Sequence, residues 1–306
     1  MTSWTDRSKM AAGLDSLPLP DGFTDVFASR FVEVDGVRLH AVTGGEGPPL
    51  LLVSGWPQIW YAWREVMPAL AREHTVVAVD SRGCGLSDKP DDGYDAGTLA
   101  ADLVALMAAL GHETFDVAGH DIGTWTAYAL AADHPDRVVR LAVLEAMIPG
   151  LTPSPPVFGP AALNQKLWQI GFNRLTDLNE DLVRGRERLF FGWQFASKAA
   201  TPTAIPASAV DVYVDAITAD PRALHATFAY YRALDETIAQ NERRSRTRLP
   251  QPVLAVGGAL WSGEYAVQTM RLASDDVTGV VLDDCGHYPA EEQPARFAEL
   301  LLDFLR

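Results

Sequence analysis

Short apolar runs recur along the first half of the chain, and each is the length of a β-strand. The runs are too continuous to belong to a sheet with one face in water, so they indicate strands buried on both faces. They are Leu50–Ser54, Thr75–Asp80, Phe115–Gly119 and Val138–Leu144. An alternating pair, Phe31–Val34 and Arg38–Thr43, predicts a β-hairpin that turns at Asp35-Gly36.

Helical spacing of apolar residues separates these runs, at Tyr61–Ala71, Leu99–Leu110 and Thr124–Ala132. Strands that alternate with helices form a parallel sheet covered on both faces. We therefore predict an α/β fold with a mostly parallel sheet and helices on both of its faces.

The alternation stops after Leu144. Five prolines lie between residues 149 and 160, and from there to about Arg248 the pattern is helical and rich in aromatic residues. Strand and helix patterns then resume at Pro252–Gly258, Val277–Leu282 and Gln293–Leu305. We expect a core of residues 26–148 and 249–306, interrupted by a helical cap of residues 149–248 above the carboxyl ends of the strands, where open α/β sheets bind ligands.

Composition narrows the classes of protein that fit. With 306 residues, 48% of them hydrophobic, the chain can bury a large core, and its net charge of −15 argues against binding nucleic acid or an anionic membrane.

Residues 1–25 are interpreted as a polar lead-in without the apolar stretch of a secretory signal. Cys84 and Cys285 are isolated, which predicts neither a disulfide framework nor a zinc site. We expect a cytoplasmic protein without cofactor or metal, and a homodimer is left open.

A five-residue motif, Gly119-His120-Asp121-Ile122-Gly123, lies between a predicted strand and a predicted helix. Glycines on both sides of a central residue allow the sharp turn that presents a nucleophile, although an ordinary turn with Asp121 as a helix cap is the alternative. A carboxylate is already ionised at neutral pH, since its ordinary pKa is about 3.9. Attack on an acyl carbon would give a labile anhydride, whereas attack on a strained sp³ carbon gives an alkyl ester that water can hydrolyse.

The second step needs a base and an oxyanion hole. His287 follows the last predicted strand and is the candidate base, while His120 should pack away from the site. Glu145, at the end of a strand, is preferred over Glu264 as the partner of the histidine. The backbone N–H groups of Ile122 and Trp56 are the candidate oxyanion hole, with a cis bond before Pro57 as a further expectation.

These motifs resemble those of epoxide hydrolases in the α/β-hydrolase superfamily, from about Phe31 to Arg306. The matching segments are Ser54-Gly55-Trp56-Pro57-Gln58, Asp80-Ser81-Arg82-Gly83-Cys84-Gly85-Leu86-Ser87-Asp88, the Asp121 motif, Tyr230-Tyr231-Arg232-Ala233-Leu234 and Gly286-His287. The segment Leu144-Glu145-Ala146-Met147-Ile148-Pro149 is most similar to the Cif-like subgroup, in which that glutamate orients the histidine. The resemblance implies that Tyr231 protonates the departing epoxide oxygen, because a phenol keeps its proton at neutral pH.

Three positions depart from this family pattern. Ser54 stands where the family usually has histidine, and Gln169 stands where a second proton donor is expected. Gln169 can donate a hydrogen bond to an epoxide oxygen but cannot protonate it. Ile122 follows the nucleophile, where haloalkane dehalogenases typically have tryptophan and fluoroacetate dehalogenases have arginine.

The leading hypothesis is hydrolysis of an epoxide to a vicinal diol. A haloalkane or haloacid dehalogenase with the same Asp–His pair is the alternative, and a non-catalytic binding protein is the third. Candidate substrate contacts are Gln169, Trp168, Phe172, Trp193 and Tyr230, with Trp56 on the loop below. The aromatic members point to a small apolar epoxide, aromatic or polycyclic, or they form the core of the cap.

Overall fold

The computed structural model describes residues 13–145, 147–154, 156 and 159–306. Residues 1–12 of the expected lead-in therefore lie outside the described residues. The same holds for Ala146 in the strand-end segment and Pro155 in the proline cluster.

Eight strands form one sheet, in the spatial order β1-β2-β4-β3-β5-β6-β7-β8. The strands are β1 (Phe27–Val34), β2 (Val37–Gly44), β3 (Pro49–Val53), β4 (Thr75–Asp80), β5 (Phe115–His120), β6 (Val138–Leu144), β7 (Val253–Gly258) and β8 (Val277–Leu282). The β1–β2 and β2–β4 pairs are antiparallel, and every other pair is parallel. The predicted mostly parallel sheet is confirmed.

The described helices fall into three groups along the chain. Before β6 lie α1 (Phe23–Val26), α2 (Met67–Leu70), α3 (Ala96–Ala109) and α4 (Ile122–Asp133). Between β6 and β7 lie α5 (Ala161–Asn173), α6 (Leu178–Val183), α7 (Glu187–Lys198), α8 (Ala207–Thr218), α9 (Ala223–Arg232) and α10 (Leu234–Arg244), which we call the inserted helices. After β7 come α11 (Tyr265–Ala273), α12 (Pro289–Glu292) and α13 (Pro294–Leu305). Among the described residues, no helix combines the length and the apolar composition needed to span a bilayer.

Both faces of the sheet are covered by apolar side chains. Along β3, Leu50 and Leu52 pack into one cluster with Phe297 of α13. Leu51, on the other face, joins a second cluster with Leu106 of α3. Because successive side chains of a strand point to opposite faces, a run that is apolar throughout fills both layers. Each fully buried leucine contributes about 1.5–3 kcal/mol.

The predicted helix at Tyr61–Ala71 is wrong. A 3-10 turn at Trp60–Trp63 is followed by the short helix α2 instead. All four residues of the turn are buried, so the segment packs on every side and lacks the exposed face of a surface helix. The Trp60 N–H donates to Asp80 Oδ1 at 2.9 Å, a tertiary contact that fixes the turn.

Candidate active site

Asp121 lies at the turn between β5 and α4, with φ 52° and ψ −121°. This backbone conformation is uncommon for a residue with a side chain and costs of order 1–3 kcal/mol. Gly123 makes the turn sterically feasible, because a Cβ there would lie 2.5 Å from the Val53 carbonyl oxygen. A Cβ on Gly119 would lie 2.5 Å from the Gly123 carbonyl oxygen. The two glycines of the motif are therefore required by close packing of the backbone.

His287 lies in the loop after β8 and bridges two carboxylates. Its Nε2 is 3.0 Å from Asp121 Oδ2, and its Nδ1 is 3.3 Å from Glu145 Oε2. A backbone hydrogen bond from the His287 N–H to the Lys198 carbonyl, 3.0 Å long, fixes the loop to the end of α7. The arrangement has the order nucleophile, imidazole and acid that covalent hydrolysis requires.

Glu145 directly follows β6 and is 5% exposed. Its φ of 58° is also in the left-handed region, and its N–H donates to the Val256 carbonyl at 2.9 Å. Its Oε1 accepts the N–H of Gly258, which leaves Oε2 for His287. Glu264, the alternative partner, is exposed at the start of α11. The structure thus brings Glu145 to the imidazole, and Glu264 is not among the partners of that imidazole.

The contacts of His287 and Asp121 shift the pKa values of both side chains. Both ring nitrogens of His287 face carboxylate oxygens, so the doubly protonated imidazolium satisfies both contacts. Burial lowers the pKa of His287, but the hydrogen bonds to Asp121 and Glu145 outweigh burial and raise it above 6.5. Burial would likewise raise the pKa of Asp121, yet the hydrogen bond from His287 and the charges of His287 and Lys198 lower it. The two pKa shifts thus favour an ionised carboxylate at Asp121 and a protonated imidazole at His287.

Trp56 contributes a backbone donor to the same carboxylate. Its N–H lies 3.1 Å from Asp121 Oδ1, and the Trp56–Pro57 peptide bond is cis, as expected. Ile122 begins α4, so its N–H has no partner within the helix. Ser54, which replaces the histidine of the family pattern, donates its hydroxyl to the Ile59 carbonyl at 2.7 Å. Ser54 therefore holds the loop that carries Trp56.

His120 lies behind the site. Its Nε2 is 2.6 Å from the His287 carbonyl oxygen, and because a carbonyl only accepts, Nε2 carries the proton. Burial and the charge of His287 lower the pKa of His120 to about 3, so it is neutral. His120 supports the loop of His287 and does not line the cavity beside Asp121.

The two adjacent tyrosines of α9 have different surroundings. Tyr231 is 3% exposed and lines the cavity above Asp121, with its ring 5.4 Å from that of Trp56. Burial and the charge of Asp121 raise its pKa well above 10.0, so it holds its proton. Tyr230 instead donates its hydroxyl to the Arg82 carbonyl and packs against Tyr94. Tyr230 is a packing residue in this structure.

A cavity of about 510 Å³ lies between the core and the inserted helices. Asp121, Glu145 and His287 line it from the core, and Gln169 and Tyr231 line it from the inserted helices. The oxygen of the Gln169 amide is buried and has no hydrogen-bond partner among the described residues. Ile122 lines the cavity as well, so the cavity joins six of the residues selected from the sequence.

The aromatic residues of α5 and α7 lie elsewhere. Trp168, Phe172 and Trp193 line a separate groove of about 340 Å³ on the inserted helices. Sequence reasoning missed the residues that take their place in the cavity, chiefly Trp125, Trp261, Lys166 and Lys198. Lysine is scarce, with four lysines among the 25 basic residues, but this scarcity does not indicate that either side chain is buried beside Asp121.

A family model described as the alpha/beta hydrolase fold matches residues 48–208. The chain belongs to this family of α/β-hydrolase-fold proteins. It is 34% identical over 280 residues to a soluble epoxide hydrolase of Corynebacterium sp. (strain C12), which covers 89% of this chain and 94% of that protein. The predicted resemblance to epoxide hydrolases of the superfamily, and with it the class of hydrolytic enzymes, is confirmed.

Two further similarities bear on function. The crystal structure of Cfl2 wild-type from Burkholderia cenocepacia superimposes with a TM-score of 0.89 at 39% identity, over 94% of this chain and 98% of that chain. A fluoroacetate dehalogenase of Burkholderia sp is 45% identical over 124 residues, which is 39% of this chain and 41% of that protein.

Proposed function

We propose that the protein is an epoxide hydrolase that converts an epoxide into a vicinal diol through an ester on Asp121. One observation carries this proposal: the residue at the strand–helix turn is a carboxylate, held between the Trp56 N–H and the His287 imidazole. The similarity to a soluble epoxide hydrolase over 280 residues supports it.

Ring opening is the first step. A carboxylate oxygen of Asp121 forms a bond to an epoxide carbon, the ring C–O bond breaks, and its electron pair goes to the ring oxygen. The Tyr231 hydroxyl supplies the proton that this oxygen needs, since an alkoxide is a stronger base than a phenolate. Gln169 lies in the same cavity and can donate only a hydrogen bond, so the proposal assigns the acid to Tyr231 and not to Gln169.

Ester hydrolysis is the second step. Alkylation removes the charge of Asp121 and thus the strongest reason for His287 to stay protonated. The proton that His287 loses passes to the Tyr231 phenolate, which restores the phenol. Neutral His287 then takes a proton from water, which attacks the carbonyl carbon of the ester, while Glu145 holds Nδ1–H and keeps the imidazole oriented. The N–H groups of Trp56 and Ile122 stabilise the oxyanion, and collapse of the tetrahedral intermediate releases the diol.

A single turnover in water enriched in heavy oxygen tests the covalent route. With styrene oxide as substrate, the label should appear in the Asp121 carboxylate, and the first equivalent of diol should lack it. Label in the first diol would show that water attacks the epoxide directly, and the ester mechanism would be wrong.

Dehalogenation is the second candidate function, because the fluoroacetate dehalogenase is 45% identical over its matched segment. The same carboxylate can displace a halide from an sp³ carbon. Ile122, however, offers a halide no N–H from its side chain and offers a carboxylate no charge. Halide release from fluoroacetate and chloroacetate, measured with an ion-selective electrode, decides between the two functions.

We further propose that residues 149–248 act as a cap that covers the substrate. Tyr231 and Gln169 come from this segment and meet Asp121 across the cavity. We also propose a cytoplasmic location, since Cys84 and Cys285 are both free thiols. Immunoblots of cytoplasmic and periplasmic fractions from an expressing bacterium test the location.

A further inference from the structure

Lysine is rare in this chain. Four residues, Lys9, Lys89, Lys166 and Lys198, are lysines, and the other 21 of the 25 basic residues are arginines. Lys9 lies outside the described residues, and the Lys89 ammonium donates to the Gly85 and Ser87 carbonyls at 2.8 and 2.9 Å. The remaining two line the cavity that contains Asp121.

Lys198 ends α7 and is 4% exposed. Its carbonyl accepts the His287 N–H, so its backbone is fixed to the loop of the base. Its ammonium lies 5.4 Å from the ring centroid of Trp56 and 5.9 Å from that of Trp261. The Lys166 ammonium lies 4.8 Å from the Trp261 ring centroid and donates to the Trp261 carbonyl at 3.4 Å. One tryptophan thus positions both cations at the cavity wall.

Neither ammonium has a carboxylate oxygen within 4.0 Å among the described residues. Burial of a cation without an ion-pair partner is costly, and burial lowers the pKa of Lys198 while the charge of Asp121 opposes this. Polar groups beside the lysines are also unpaired. In the part of the chain that the structure describes, the Gln169 side-chain oxygen and both polar atoms of the fully buried Gln194 side chain have no hydrogen-bond partner.

These groups form a continuous polar wall. Lys166, Gln169, Lys198 and Trp261 line both the cavity of Asp121 and an adjoining cavity of about 260 Å³, which Gln194 also lines. A neutral epoxide could accept a hydrogen bond from Gln169 but would leave both ammonium groups without an anionic partner. An anionic substrate would fit it, because the charge of Asp121 repels an anion and a cation in the same cavity must offset that repulsion.

We propose that the substrate is an epoxide that carries a carboxylate near the ring, and that Lys198, with Lys166 beside it, binds this carboxylate. The inference rests on the proposed epoxide hydrolase function and names its substrate class. Apolar parts of the cavity wall, such as Trp125 and Ile122, receive the rest of the substrate. The cation that binds the carboxylate therefore belongs to the inserted helices. It is not the residue directly after the nucleophile, where fluoroacetate dehalogenases have arginine and this chain has Ile122.

Phenylglycidate and its neutral amide, phenylglycidamide, test this inference, because they have the same ring and nearly the same shape. For the wild-type protein we expect a higher kcat/KM with phenylglycidate. Lys198→Met should lower the ratio of kcat/KM for phenylglycidate to kcat/KM for phenylglycidamide by about tenfold or more. The main change should be a higher KM for phenylglycidate. Lys198→Arg should restore part of the ratio. Arg188→Met, on the same helix and paired with exposed Asp211 at 2.5 Å, removes an equal charge and should leave the ratio unchanged.

A purely electrostatic role of Lys198 toward Asp121 gives a different result. Lys198→Met would then slow both substrates by the same factor, and the inference would be wrong. Turnover of the amide with no preference for the acid would overturn the substrate class and leave epoxide hydrolysis intact. If no epoxide is hydrolysed, the proposed function fails. Binding of the diol acid phenylglycerate, measured by tryptophan fluorescence, still tests whether Lys198 binds a carboxylate. Far-UV circular dichroism and a second variant, Lys198→Gln, control for misfolding.

Discussion

The Nε2 of His287 lies 3.0 Å from Oδ2 of Asp121, so the candidate base and the candidate nucleophile are in direct contact before any substrate binds. Esterification of Asp121 would remove one partner of this pair. In the proposed mechanism, the contact that raises the pKa of the imidazole is therefore lost once the first step is complete, and His287 can then act as a base.

Replacement of His287 by glutamine should trap the ester. In the proposed mechanism ring opening needs Asp121 and Tyr231, whereas hydrolysis of the ester needs the imidazole. His287→Gln should therefore slow turnover by about 10²–10⁴-fold and accumulate the alkylated protein. Intact-protein mass spectrometry should show the mass of one epoxide added. The double variant Asp121→Asn/His287→Gln is the control and should gain no mass. An adduct on the double variant would place the nucleophile elsewhere.

The two half-reactions should differ in their dependence on pH. The pKa of Asp121 is below its usual value, so ring opening should persist through weakly acidic pH. Hydrolysis needs neutral His287, whose pKa in the ester lies below that of the resting protein because the contribution of Asp121 is gone. Rapid-quench single turnovers should show ester hydrolysis slowing as the pH falls while ring opening stays nearly constant. Parallel loss of both rates would contradict this assignment.

Tyr231→Phe should lower the rate of ring opening by about 10²–10⁴-fold, the usual contribution of a general acid. Tyr230→Phe is a matched control on the neighbouring residue, whose hydroxyl bonds to the Arg82 carbonyl. That variant should lose about 1 kcal/mol of stability and keep its rate of ring opening. Pre-steady-state rates with styrene oxide measure the difference. Equal rates for the two variants would show that Tyr231 is not the acid.

Glu145→Gln should slow ester hydrolysis more than ring opening. An amide in place of the carboxylate removes the charge that favours the imidazolium formed when His287 takes a proton from water. The alkylated protein should therefore accumulate, as in the His287 variant but to a smaller extent. Glu264→Gln, at an exposed position, is the control and should behave like the wild type. A larger effect of Glu264→Gln would reverse the choice between the two glutamates.

The parts of the fold that follow from local patterns were predictable from the sequence. Strands such as Thr75–Asp80 are apolar throughout because both of their faces are buried. Glu145 could be located because the carboxyl ends of parallel strands share one edge of the sheet. The helix predicted at Tyr61–Ala71 failed because tertiary contacts of Trp60 override a helical pattern.

The inserted helices were harder to interpret. Trp168 and Trp193 are exposed on a groove that does not contain Asp121, and Trp193 also lines the cavity adjoining that of Asp121, although their helical spacing suits an inward face equally well. Lys198 resembles an ordinary solvated lysine in the sequence, and its burial depends on how α7 packs against Trp56 and the loop of His287. Which face of a cap helix meets the core is decided by packing between distant segments, and local periodicity carries no information about it.

A buried ion pair behind the site should dominate the response of stability to mutation. Glu291 is 9% exposed and accepts from Arg64 Nη1 at 2.9 Å, from Gln58 Nε2 at 2.8 Å and from the Tyr213 hydroxyl. Arg64→Met leaves this carboxylate charged and uncompensated, so the free energy of unfolding should fall by about 3–5 kcal/mol in urea titrations at neutral pH.

The double variant Arg64→Met/Glu291→Leu removes both charges and should recover much of this loss. Burial already raises the pKa of Glu291, and loss of Arg64 raises it further. In Arg64→Met, the Glu291 carboxyl is therefore protonated more readily in the folded than in the unfolded state. The loss in free energy of unfolding relative to the wild type should become smaller as the pH falls. A loss in free energy of unfolding that is independent of pH and unchanged in the double variant would contradict this explanation. It would mean that Arg64 stabilises the fold by packing on the Tyr61 ring, whose centroid lies 4.2 Å from Arg64 Cζ, and not by pairing with Glu291.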